Sequence, residues 1–178
     1  MIPVLHSIED IDKIIRATLI SQSQIEPDYV RNSDTVFGQM LDAPLSDDVF
    51  ESITHTDLLM LFELHSRESD SDMTETVDDK IVSYKAFKVH VIVYGDLSAD
   101  CCSNVIARLR TQKVRSDLQS SAVYLERVSE MVELREFKAS TVWTRHDFDI
   151  DISCRLQINQ INDDYDVSSL SSIDIEQT

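Results

Sequence analysis

Glycine, cysteine and positive charge are all scarce in this chain of 178 residues. The two glycines, Gly38 and Gly95, are too few and too far apart to build a P-loop or a GxGxxG dinucleotide turn. Those two routes to nucleotide binding are therefore excluded. No apolar run approaches the roughly 20 residues of a membrane helix, and acids stand near the start, where a signal peptide would be basic. We expect a protein that is made in the cytoplasm and does not enter a membrane.

The three cysteines, Cys101, Cys102 and Cys154, are odd in number, include an adjacent pair and lack CxxC spacing. This pattern favours reduced, packed thiols over a disulfide framework or a zinc site. The five histidines are scattered without HExxH spacing, and no serine stands in a GxSxG motif. The sequence therefore indicates no catalytic residue, no metal site and no cofactor.

Negative charge is plentiful but unevenly distributed. The chain carries 33 acidic and 16 basic side chains, for a net charge of -17. Residues 42–80 hold twelve acids against two bases, whereas residues 81–146 have a small basic excess. DNA binding generally requires lysine and arginine to displace counterions from phosphates. This excess of negative charge therefore argues against a DNA-binding function.

Apolar periodicity predicts an α+β fold. The sheet is expected to be mixed or antiparallel, with about four main strands packed against two helices in a single domain of residues 1–158. The expected elements are a helix from Ser7 to about residue 20, a long loop at 21–57, a strand at 58–65, an acidic loop at 66–80, a strand at 81–94, a helix capped by Ser98 that continues or restarts through 114–118, strands at 124–134 and 141–158, and an acidic tail or arm at 159–178.

The segment 141–158 alternates most regularly. Apolar residues from Phe148 to Ile158 occupy every second position, and Asp147, Asp149 and Asp151 lie on the other face. Neighbouring side chains on one face are about 7 Å apart, which is too far for three short aspartates to converge easily on a cation. We therefore expect a solvated acidic face. A carboxylate-dependent hydrolase or nuclease and an acidic protein that mimics DNA remain the alternatives.

One basic cluster interrupts the acidic character. It consists of Arg108, Arg110, Lys113 and Arg115, on and just after the second predicted helix. These cations could touch DNA, could simply suit the negative end of a helix, or could dock on the acidic blocks of an identical neighbour. We treat the cluster as a candidate interface.

The order of these elements resembles that of the phage neck terminator and tail terminator (tail completion) proteins. The resemblance covers about residues 58–158 and is most specific in FKVHVIVYGDLSADCCSNVIARLRT, VRSDLQSSAVYLERVSEMVELREF and TVWTRHDFDIDISCRL. Trp143 and Arg145 match the late Trp-x-Arg-x-Asp-Phe-Asp strand of that pattern. There the resemblance implies packing at a strand end and an ion pair, either internal or at an interface.

The resemblance also implies a structural virion protein without catalysis. Such a protein forms a ring, commonly of six copies, that caps the tail tube and joins the tail to the head connector or adaptor. Expected partners are further copies of the chain, the tail tube protein, the connector and possibly the tail sheath. DNA would pass through the lumen without specific binding, and the three aspartates are candidates to line it. A head completion adaptor or a baseplate hub component is the alternative role.

Overall fold

The fold is known from a computed structural model that describes residues 3–32, 50–51, 53–67, 74–77 and 80–158. Its helices are α1 (Ile8–Ser23), α2 (Ser98–Leu109) and α3 (Gln112–Ser120), with a 3-10 turn at Pro27–Tyr29. Its strands are β1 (Val30–Asn32), β2 (Leu59–Arg67), β3 (Thr74–Val77), β4 (Lys80–Tyr94), β5 (Val123–Val128), β6 (Val132–Lys138) and β7 (Thr141–Ile158). Within this part of the chain, no helix is long and apolar enough to span a membrane.

The strands form one mixed sheet in the order β1-β2-β4-β7-β5. β3 also pairs with β4, and β6 pairs with β7, so that β5 and β6 follow each other along the same edge of the long β7. Among the described strands, β1 and β2 alone pair in parallel, and an isolated parallel bridge joins Leu5 to Leu156. The predicted α+β class and sheet type are confirmed, but the expectation of four strands is wrong because the described sheet has seven.

The additional strands lie where the sequence pattern was weak. The predicted strand at 124–134 is two strands, β5 and β6, separated by residues 129–131. The predicted loop at 21–57 contains the end of α1 and all of β1, while its residues 33–49 lie outside the described chain. The predicted loop at 66–80 contains the end of β2, β3 and the start of β4. Strands of three or four residues are too short for alternation to reveal them. The predicted tail, 159–178, also lies outside the described residues.

The main core lies between the helices and one face of the sheet. α1 begins with a capping box, in which the Ser7 hydroxyl accepts the Asp10 N–H and the Asp10 carboxylate accepts the Ser7 N–H. The buried core includes Ile11, Ile15, Leu19, Val105, Leu109 and Leu118 from the helices, and Phe87, Val89, Val91, Phe148, Ile150 and Ile152 from β4 and β7. The alternating apolar faces of these two strands therefore pack as their sequence pattern predicts.

A second, smaller core covers one end of the opposite face. It contains Phe50, Ile53, Leu59, Leu61, Ile92, Tyr94 and Trp143. Gly95 closes β4 next to this cluster with a φ of 119°, and a Cβ there would lie 2.3 Å from the carbonyl oxygen of Asp57. A side chain at this position would therefore be strained by both backbone conformation and space.

Candidate functional site

The three aspartates of β7 lie next to cations of their own strand or of neighbouring strands. In the antiparallel register, Asp149 faces His90 and Asp151 faces Lys88. The Asp149 carboxylate lies 2.8 Å from His90 Nδ1 and 3.3 Å from Lys88 Nζ. Asp151 lies 3.4 Å from the guanidinium of Arg67 at the end of β2. Each of these carboxylates is thus paired within the chain.

Asp147 is the most buried of the three aspartates, with 8% of its side chain exposed. It lies 3.0 Å from Arg145 Nη2 and 3.4 Å from His90 Nε2. The expectation of a solvated acidic face is therefore wrong at Asp147, because charge pairing across the strands allows the carboxylate to be buried. We call this row of paired charges the charge ladder; its members are Arg145, Asp147, His90, Asp149, Lys88, Asp151 and Arg67.

His90 connects the two inner aspartates, since each of its ring nitrogens lies next to one carboxylate. Only the doubly protonated imidazolium can donate to both. The carboxylate of Asp147, followed by that of Asp149, raises the pKa of His90 to about 9 despite partial burial. Burial alone would raise the pKa of Asp149, but His90 and Lys88 hold it below its usual value. His90 is therefore a cation at neutral pH.

The same network continues onto the β6–β7 hairpin. Arg145 Nη1 lies 2.7 Å from Glu136, and the Tyr94 hydroxyl donates to the same carboxylate at 2.7 Å. Burial, followed by this hydrogen bond, raises the pKa of Tyr94. Lys138 lies 3.0 Å from the second oxygen of Glu136. Arg145 thus forms internal ion pairs that tie β4, β6 and β7 together.

Trp143 lies at the end of this network and is 2% exposed. Its ring is stacked on His55 at a centroid distance of 4.1 Å and meets Phe50 edge to face at 5.4 Å. Trp143 therefore belongs to the smaller core rather than to an exposed surface.

In the described part of the chain, no group of three or more histidine, cysteine, aspartate or glutamate side chains is placed to hold a metal ion.

The arginines of the basic cluster form hydrogen bonds that connect α2 and α3 to neighbouring segments. Arg108 donates to the Gln22 carbonyl at 2.9 Å, Arg110 donates to the Val128 carbonyl at 3.1 Å, and Arg115 donates to the Leu125 carbonyl at 3.1 Å. Arg110 also forms an ion pair with Glu130 at 2.8 Å, whereas Lys113 is exposed. Three of the four candidate interface cations thus donate hydrogen bonds to carbonyl oxygens of their own chain.

Ser98 and His146 form a buried contact that the sequence analysis missed. Ser98, expected to cap α2, instead donates its hydroxyl to the Gly95 carbonyl at 2.6 Å and lies 2.9 Å from His146 Nδ1. Glu133 lies 4.0 Å from His146 Nε2. This order of groups is that of a serine hydrolase triad, but Ser98 is fully buried and a substrate could not reach it. No motif around Ser98 signals the contact.

The three cysteines are free and buried. Burial raises the pKa of Cys101 to about 11 and that of Cys154 to about 12, and it also raises the pKa of Cys102. Because the thiolate is the reactive form, these thiols are poorly suited to disulfide exchange or metal binding.

Among the described residues, the β6–β7 hairpin and the residue before it carry most of the exposed large apolar side chains. These are Met131, Val132, Leu134, Phe137 and Val142, and Phe137 is 69% exposed. β4 pairs with β7 only from Arg145 onwards, so residues 141–144 are paired with β6 alone among the described strands. The tip of the hairpin is therefore a two-stranded ribbon that extends beyond the rest of the sheet.

Comparison with known proteins identifies a family. A family model described as phage neck terminator protein matches residues 52–178, well over half of the chain. The chain belongs to the phage neck terminator family. The match begins just before β2 and includes the sheet from β2 to β7, together with α2 and α3. No curated protein sequence matches the chain.

Membership of the neck terminator family gives the chain a structural role in the tail of a phage. It also indicates a location at the neck or tail of the virion and interactions with other proteins there. Asp149 and Asp151 are paired with cations of the same chain, and Ser98 and His146 are buried. We therefore interpret the polar face as part of the architecture of this neck terminator-family protein.

Proposed function

We propose that this chain assembles into a closed ring of six copies that caps the phage tail tube and joins the tail to the head connector. The family match across β2 to β7 is the observation that carries this proposal. The ring is non-catalytic and works without a cofactor. Its partners are further copies of itself, the tail tube protein, the connector or adaptor and, in a contractile tail, the sheath.

A cap of this kind acts through geometry. One face of the ring complements the last ring of the tube, and the opposite face does not repeat that surface, so further tube subunits cannot add. The mechanism needs a protomer that holds its shape under contact from both sides. The ion-paired sheet supports this role, because Arg145 and Glu136 join β6 and β7 at the same place where Tyr94 joins β4.

DNA would pass through the lumen of this ring. An acidic lining repels phosphates and prevents the DNA from binding to the wall. Because Asp147, Asp149 and Asp151 each have a cationic partner, they contribute little net negative charge to such a lining.

The deciding experiment is electron microscopy of phage particles made without this protein. We expect tails that are overlong or detached from filled heads, and we expect plasmid-borne wild-type protein to restore joined particles. Joined particles with tails of normal length would contradict the proposal.

A variant with both Asp149 and Asp151 replaced by asparagine separates a structural role from a carboxylate-dependent enzyme. Asp147, which is the buried member, is left unchanged so that the fold is preserved. We expect this double variant to complement the missing protein. If the purified variant forms rings and attaches to tails normally, but the phage particles that carry it are not infectious, a chemical role for these carboxylates is indicated.

A further inference from the structure

The outer edge of β6 is open among the described residues. β6 pairs with β7 on one side, and no described strand lies on its other side. Apolar side chains stand along this edge, with Val132 56% and Leu134 40% exposed. An open edge with exposed apolar side chains is a template for pairing with another strand.

The charges of β6 are complementary to a second copy of β6. A two-fold axis normal to the sheet keeps every side chain on its own face, so opposed residues must both be even-numbered or both be odd-numbered. Three antiparallel registers then overlap by at least five residues of the strand, and they are centred on Leu134, Arg135 and Glu136. The register centred on Arg135 opposes two arginines, and the register centred on Glu136 opposes two glutamates. Like charges directly opposite each other are unfavourable.

The register centred on Leu134 has no such conflict. It places Glu133 of each copy opposite Arg135 of the other, and it places Leu134 opposite Leu134. Just outside the strand, Met131 lies opposite Phe137 in both halves. Val132 is diagonal to Leu134 of the other copy, so the exposed apolar residues meet on both faces of the combined sheet. Arg135 is exposed and has no ion pair with any described residue of its own chain.

We propose that two copies of this chain associate in solution through antiparallel pairing of their β6 strands about a two-fold axis at Leu134. The contact is self-complementary and cannot by itself continue around a ring. We therefore expect the contact to form before assembly, when it covers the open edge of β6 until partner proteins in the virion replace it. The proposal goes beyond the ring and does not depend on it, because it concerns the purified chain alone.

Charge exchange tests the register by analytical ultracentrifugation of the purified full chain over a range of concentrations. We expect a dimer for the wild type and, for Glu133→Arg or Arg135→Glu, a dissociation constant raised by tenfold or more, since two attractive pairs become repulsive. The double variant Glu133→Arg/Arg135→Glu restores the pairs and should restore the dimer. Lys113→Glu, on the exposed face of α3, is the matched control and should leave the dimer intact.

Cysteine crosslinking gives an independent test. Directly opposed residues have Cα atoms about 4.5–5.5 Å apart, which suits a disulfide. Leu134→Cys should therefore crosslink under mild oxidation, whereas Val132→Cys, four positions from its counterpart in this register, should not. The native thiols are buried and stay out of the reaction. A monomeric wild type, equal crosslinking at both positions, or a double variant that stays dissociated would overturn the proposal. The last result would indicate pairing with a different edge.

Discussion

The two faces of β7 are stabilised by different forces. On one face, Phe148, Ile150 and Ile152 are buried beneath the helices and contribute through removal of apolar surface from water. On the other face, Asp147 and Asp149 contribute through cross-strand pairing with His90 and its neighbours. The first face depends on packing and is insensitive to pH, whereas the second depends on protonation. One strand thus combines a conventional core with an ionic ladder.

The largest expected effect lies on the apolar face. Ile152→Ala should lower the free energy of unfolding by about 3–4 kcal/mol, because Ile152 is fully buried and its removal leaves a cavity. Urea unfolding followed by circular dichroism measures this change. Ile152→Val, which removes one methyl group, should cost about 1 kcal/mol. Equal costs for the two variants would mean that the site collapses around the smaller side chain.

The next effect lies on the polar face, at its most buried member. Asp147→Asn keeps the size of the side chain but removes the charge between Arg145 and His90, and we expect a loss of about 2 kcal/mol in unfolding free energy. The pKa of His90, followed by NMR, should fall in this variant. Asp151→Asn, which has one contact to an exposed arginine, is the control and should cost less than 1 kcal/mol. An unchanged His90 pKa in Asp147→Asn would refute the bridging role.

A smaller effect should appear in the pH dependence. The pKa of His90 is raised from 6.5 to about 9 on folding, so its contribution is fully present below pH 6.5 and is lost as the pH rises through 9. Because 30% of this side chain is exposed, solvent screening reduces the contribution to about 1–2 kcal/mol. The decline should be visible in urea midpoints measured on both sides of this window. It should be absent from His90→Gln, and a decline of equal size there would assign the effect to another group.

The smallest effect is expected at the end of the ladder nearest solvent. Arg67→Ala removes the contacts to Asp151 and Glu126, at 3.4 and 3.7 Å, but the arginine side chain is 43% exposed. We expect a change of less than 0.5 kcal/mol in unfolding free energy, because exposed ion pairs contribute little. A loss near that of Asp147→Asn would show that the whole ladder acts as one cooperative unit.

Much of the fold could be predicted from the sequence because β4 and β7 are long. Over such lengths, alternation identifies both the strands and their buried faces, and Phe87, Val89, Val91 and Val93 lie in the core as expected. β1 and β3 could not be recognised, since three or four residues contain too little pattern. Their positions depend on pairing with distant strands, and single-sequence periodicity does not report such pairing.

The candidate site was predicted less well than the fold. The sequence placed Asp147, Asp149 and Asp151 on one face correctly, but it could not show that Lys88, His90 and Arg67 lie opposite them. The register between β4 and β7 brings Lys88 and His90 into place across about 60 residues of chain, and the pairing of β2 with β4 brings Arg67 to the same face. The exposed hairpin was missed because residues 124–134 were interpreted as one strand, which hid the apolar alternation of Val132 and Leu134.

The length of the β4–β7 pair also has a mechanical consequence. These strands are paired over 14 consecutive positions, and the paired region spans about 45 Å. A force applied along the strands would load many backbone hydrogen bonds in parallel, so that none can fail alone. A protomer built around this strand pair resists shear along the direction of the strands. That stiffness would suit the joint between tail and head connector that we propose for this chain.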